Sequence, residues 1–212
     1  MKIEGEYVFN GPREEVWKLV RDPEVLATAL PGTQSLEQVG ENEYEGAMNV
    51  RIGPVAGAFS GRIVVSNEVA PESCTLSVEG TGKPGFAKGT GNVRLLDQGD
   101  GTTLMKYEGE MQIGGRLASV GQRLIDTASK SMIRQGLDAL NEALEARVAA
   151  KAAGQEEIEY EAPSEAEFAA AVAKDMAGEM LSSARTRIIL IVLAVAIVIV
   201  IAAVILTNSG GG

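Results

Sequence analysis

Residues 103–147 read TLMKYEGEMQIGGRLASVGQRLIDTASKSMIRQGLDALNEALEAR, and the apolar period changes once within them. Up to Ile113 it is two: Met105, Tyr107, Gly109, Met111 and Ile113 share one face, with Lys106, Glu108, Glu110 and Gln112 on the other. That alternation predicts a strand with one buried and one wet face. Gly114-Gly115 closes it. From Arg116 the apolar residues recur at helical spacing, Leu117, Val120, Leu124, Ala128 and then Ile133, Leu137, Leu140 and Leu144, which predicts a single helix over Arg116–Arg147. A half-buried strand followed by a long amphipathic helix means that sheet and helix bury their apolar faces on each other.

Upstream, the same alternation repeats. Lys2–Phe9 sets Ile3, Gly5, Tyr7 and Phe9 on one face. Asn10-Gly11-Pro12 opens a helix with Glu14 and Glu15 near its positive end, and Asp22-Pro23 starts a second that stops at Leu30-Pro31-Gly32. Between Ser35 and Gly114, inward sets of Tyr44/Gly46/Met48/Val50/Ile52, Phe59/Gly61/Ile63/Val65, Cys74/Leu76/Val78/Gly80 and Ala87/Gly89/Gly91/Val93/Leu95 follow one another. The turn Gln98-Gly99-Asp100-Gly101 joins the last two strands. The fold class is therefore α+β: a curved antiparallel sheet gripping a long C-terminal helix over residues 1–147.

Glycine is over-used on the inward face: Gly46, Gly61, Gly80, Gly89, Gly91 and Gly109 stand among the Met, Val and Ile positions. Two readings are open. Glycines leave volume between sheet and helix that side chains do not fill, or they permit the bending a sheet needs to wrap a helix. Both lead to a concave sheet over an apolar pocket.

Beyond Arg147 the character changes. Residues 148–163 read as an acidic linker, and 164–187 as a juxtamembrane helix begun by the capping box Ser164-Glu165-Ala166-Glu167. Residues 188–206 are nineteen consecutive apolar residues, long enough at ~1.5 Å per residue to cross a ~30 Å hydrocarbon core as a transmembrane helix. Arg185 and Arg187 precede it and the short tail 207–212 carries no charge, so the expected orientation is single-pass in the cell membrane with the N-terminal domain cytoplasmic. A lone cysteine, Cys74, fits a reducing compartment.

Composition excludes several functions. With 19 basic and 29 acidic residues the net charge is −10, unsuited to nucleic acid and to anionic lipid headgroups. The absence of histidine removes the usual catalytic triads and zinc sets, so neither a catalytic nor a metal site is assigned.

Asn10-Gly11-Pro12 with Val16-Trp17, Asp22-Pro23 with Leu30-Pro31-Gly32, Gly53-Pro54-Val55-Ala56-Gly57 and Gly82-Lys83-Pro84-Gly85-Phe86-Ala87-Lys88-Gly89 together resemble the CoxG-type family of carbon monoxide dehydrogenase proteins over about residues 1–147. The resemblance implies a START-like, helix-grip fold. It also implies work beside a cytoplasmic molybdenum hydroxylase-type dehydrogenase at the membrane, with a lipophilic pocket suited to a respiratory quinone such as menaquinone or ubiquinone. It supplies no catalytic motif.

Candidate ligand-binding residues are the inward Met48, Val50, Phe59, Gly91, Met105, Tyr107 and Met111, and the helix positions Leu117, Val120, Leu124 and Ala128. Leu30, Val55 and Phe86 join them at a rim built by the three Gly/Pro-bounded loops. Three functions stay in play: a membrane-tethered carrier presenting a lipid or quinone to the dehydrogenase, an anchor that recruits the enzyme without ligand transfer, or a cyclase-like enzyme on the same fold. The last would need an acid or base from Asp126 or Arg123, because the inward strand positions carry tyrosines and no carboxylate.

Overall fold

The computed structural model describes residues 1–30, 32–153, 170 and 174. Strands β1 (Lys2–Phe9), β2 (Thr33–Gly40), β3 (Glu43–Ile52), β4 (Val55–Val69), β5 (Ser73–Gly82), β6 (Gly85–Asp97) and β7 (Thr103–Gly115) form one antiparallel sheet in the order β1-β7-β6-β5-β4-β3-β2. Helices α1 (Arg13–Leu19) and α2 (Pro23–Ala29) connect β1 to β2, and α3 (Gln122–Ala152) follows the last strand. The α+β reading and the order of elements hold.

The core lies where α1, α2 and the C-terminal half of α3 meet one end of the sheet. Phe9, Leu95 and Met105 from the strands pack with Val16 and Leu19 of α1, Val25 and Ala29 of α2, and Ala139, Leu140, Ala143 and Leu144 of α3. Each large apolar side chain buried there contributes about 1.5–3 kcal/mol. Small residues on α3 let the helices approach closely: a Cβ on Gly136 would stand 3.2 Å from Leu30 Cδ2. The α1–α2 corner is tied down by polar contacts. The Asp22 carboxylate accepts the amides of Glu24 and Val25, capping α2, and receives Arg147 of α3 at 2.6 Å. The buried Thr103 hydroxyl donates to the Gly11 carbonyl at 2.7 Å.

Three boundaries differ from the sequence reading. The long helix does not begin at Arg116. The Leu117 amide donates to the Pro84 carbonyl at 3.0 Å, Ala118–Val120 form a 3-10 turn, and Gly121 takes φ +95°, outside helical backbone, so α3 starts at Gln122. Nor does α3 stop at Arg147: it runs to Ala152, five residues into the expected linker, with Ala150 buried and Lys151 paired to Glu15 at 2.8 Å. The segments around Gly53 and Gly82 are also shorter as loops than expected. Only residues 53–54 and 83–84 turn, which places Val55 and Phe86 in strands.

Most of the linker, the juxtamembrane helix, the transmembrane anchor and the tail lie outside the described residues; Ala170 and Lys174 are helical and exposed. Among the described residues no helix is long and apolar enough to cross a membrane.

Candidate functional site

The register of the central strands brings the inward glycines side by side. Gly91 of β6 pairs with Gly109 of β7, and that row continues to Ile3 on one side and Leu76 on the other. In the next row Gly89 lies between Val78 and Met111. Gly89, Gly91 and Gly109 form the floor of a cavity of about 150 Å³, walled by Ile3, Leu76, Val78, Val93, Tyr107 and Met111. No residue of α3 lines it. The helix is held at the sheet's other end by the core and, toward its own N-terminus, by Leu124, which would touch a Cβ on Gly53 at 2.8 Å. The apolar centre of β5, β6 and β7 is thereby left only half-buried.

Both readings of the glycines apply, at different positions. A Cβ on Gly89 would fall 2.3 Å from the Glu110 carbonyl oxygen, and one on Gly109 would fall 2.7 Å from that of Thr90. There the neighbouring backbone occupies the side-chain position, as in a tightly coiled sheet. At Gly91 the first contact is at 3.1 Å and the next at 3.7 Å, and at Gly80 nothing comes closer than 3.8 Å. These two glycines leave space.

The candidate residues are distributed unevenly around this cavity. Gly91, Tyr107 and Met111 line it. Met105 belongs to the core cluster, and Phe59, Leu117 and Ala128 are buried. Leu30, Met48, Val50, Val55, Val120 and Leu124 are half-buried and outside the lining. Phe86 is the clearest departure from the expected rim. It lies on the outer face, 41% exposed, with its ring over Gly114, where a Cβ would meet Phe86 Cε1 at 2.2 Å.

The three rim segments do gather at one end of the sheet: Pro84 packs over Gly57, and the Asn49 amide donates to the Gly32 carbonyl at 2.7 Å. They close that end, and none of them lines the cavity. Ile3, Leu76, Val78, Val93, Gly89 and Gly109 complete the lining, and in the sequence only their shared inward alternation marks them. Asp126 is hydrogen-bonded by Gln122 at 2.7 Å and Arg123 is exposed, so neither brings an acid or base to the cavity.

Two tyrosines near the site differ in their partners. Tyr7 donates to Asp138 Oδ1 at 2.8 Å, joining β1 to α3; burial first, then the hydrogen bond and charge of Asp138, raise its pKa. The Tyr107 ring lies across Gly5 of β1, its partner in register, and burial raises its pKa as well.

The family model for CoxG of carbon monoxide dehydrogenase matches residues 5–145. Among solved structures, a conserved protein from Geobacillus kaustophilus is 29% identical, with a TM-score of 0.66, over 68% of this chain and 95% of its own. A START superfamily protein from Mycobacterium smegmatis is 10% identical (TM-score 0.53, covering 68% and 97%). The Zhui aromatase/cyclase from Streptomyces sp. R1128 is 13% identical (TM-score 0.52, covering 70% and 95%). The latter two likenesses speak to fold alone, and the fold is START-like. No curated protein matches the chain.

Proposed function

Because the chain belongs to the CoxG family of carbon monoxide dehydrogenase proteins, we propose that it is a ligand-binding accessory protein whose concave sheet takes up a lipophilic molecule, a respiratory quinone, and presents it to a molybdenum hydroxylase-type dehydrogenase. The observation that carries this reading is the glycine-floored apolar cavity between β1 and β5. A quinone is an apolar body with a small polar ring, and the binding sites of such molecules are concave and mostly apolar with few polar groups. At about 150 Å³ the cavity is smaller than the ~300–1,000 Å³ of whole drug-sized sites, so it holds the ring or one stretch of the isoprenoid chain. The rest of the molecule continues over the half-buried apolar side chains beside it.

The nineteen apolar residues 188–206 complete the proposal as a membrane anchor on the cytoplasmic side. A cytoplasmic dehydrogenase must pass electrons to a carrier dissolved in the bilayer, and a tethered binding domain keeps the effective concentration of the carrier high.

The test separates transfer from mere recruitment. In membranes supplied with the dehydrogenase, Gly91→Leu should slow substrate-driven oxygen consumption while activity with a soluble dye stays intact. If that variant no longer binds quinone, still recruits the enzyme and respires normally, the chain is an anchor and not a carrier.

A further inference from the structure

We propose that the Tyr107 hydroxyl is the hydrogen-bond donor that selects the ligand, so that the cavity prefers an apolar body carrying a carbonyl oxygen at one end over a plain hydrocarbon of the same shape. This rests on the reading that the cavity takes a lipophilic molecule. Three tyrosines are described, and all stand at inward strand positions. Two are committed within the protein: Tyr7 donates to Asp138 at 2.8 Å, and Tyr44 donates to the Arg21 carbonyl at 3.3 Å. Tyr107 has no hydrogen bond to any described residue, and it is the one tyrosine that lines the cavity. The other wall side chains, Ile3, Leu76, Val78, Val93 and Met111, offer no oxygen or nitrogen.

The placement of the ring is built into the sheet. Gly5 pairs with Tyr107 across the β1–β7 ladder, and a Cβ there would stand 2.3 Å from the hydroxyl oxygen. Only the missing side chain lets the phenol lie over β1. With its pKa raised by burial, the phenol stays protonated at neutral pH and donates. A single donor in an apolar wall distinguishes a ligand with an acceptor from one without, because the unsatisfied group otherwise loses its partner on desolvation.

The experiment uses the full-length protein, titrated with a decyl-naphthoquinone and with the matching decyl-naphthalene, which lacks carbonyl oxygens. Wild type should bind the quinone roughly three- to tenfold more tightly than the hydrocarbon. Tyr107→Phe should abolish the preference without weakening hydrocarbon binding. The infrared carbonyl stretch of the bound quinone should lie at lower frequency in wild type than in Tyr107→Phe. Retention of the preference and of the lowered stretch in Tyr107→Phe would overturn the assignment, as would equal loss of both probes, which would make the ring a packing element. Wild type binding both probes equally would remove the role of Tyr107 but leave the apolar site. Wild type binding neither would remove the carrier reading itself, and this inference with it.

Discussion

At the scale of single residues, neighbouring glycines on one ladder rung have different jobs, and substitution separates them. Gly109 is fixed by backbone: its Cβ would meet the Thr90 carbonyl at 2.7 Å and the Gly91 Cα at 2.8 Å. Gly109→Ala should therefore lose roughly 1–3 kcal/mol of stability, read from denaturant unfolding. Gly91 opens toward the cavity, with only the Glu108 carbonyl oxygen within 3.4 Å of its Cβ. Gly91→Leu should fill the cavity and abolish binding of a long-chain quinone while the melting temperature changes little. A large drop in stability for Gly91→Leu, or none for Gly109→Ala, would reverse the two assignments. The alternation in sequence marks both glycines as inward but cannot say which faces backbone and which faces space. That depends on the coiling of the sheet, which no local pattern encodes.

At the scale of elements, the strands and the two short helices were legible because each is bounded by strong signals. Asp22-Pro23 caps α2 as the sequence suggests, and β3 spans Glu43–Ile52 as its alternation indicates. The start of α3 was not legible. Leu117 and Val120 fit the helical stripe by spacing, yet the Pro84 carbonyl takes the Leu117 amide and Gly121 breaks the backbone. Phe86 was misplaced for a related reason: a Gly/Pro-rich stretch reads as a long loop, whereas a two-residue turn leaves it in β6 with its parity pointing outward.

The contacts that hold the elements together make two predictions about pH. Burial alone would raise the Asp22 pKa, but Arg147 and the amides of Val25 and Glu24 more than offset it, and the net shift is downward. Its contribution is present above the ordinary aspartate pKa of about 3.9 and is lost as pH falls below it. Asp22→Ala should cost about 1–2 kcal/mol near neutral pH and flatten the acid limb of the stability curve. The sign is opposite for Tyr7. Its raised pKa means the unfolded chain loses the phenol proton first, so its contribution is present below about pH 10 and declines as pH rises further. Tyr7→Phe should remove that share of the alkaline destabilisation. An unchanged alkaline limb in the variant would show that the Asp138 contact does not hold in solution.

At the scale of the whole molecule, sheet, helices and core are complete within residues 1–153, because α3 covers one end of the sheet and α1–α2 close it. Truncation after Ala162 should release a soluble fragment with a cooperative melt; recovery only as aggregate would mean that residues 163–212 are needed for the fold. The existence of an apolar site was legible from the count of inward glycines, but its walls were not. They follow from register: the two-residue turn after β5 sets Leu76 opposite Gly91, and the turn after β6 sets Gly91 opposite Gly109. The placement of β1 beside β7, which brings Ile3 and Gly5 to the site, is a closure that no alternation reveals.

The most direct measurement is organic extraction and mass spectrometry of the full-length protein purified from its own membranes, with Gly91→Leu purified alongside. A carrier with a glycine-floored cavity should bring a quinone with it in wild type and lose it in Gly91→Leu at equal yield of folded protein. An extract without any quinone from wild type, or the same amount from both proteins, would contradict a quinone site on the concave face.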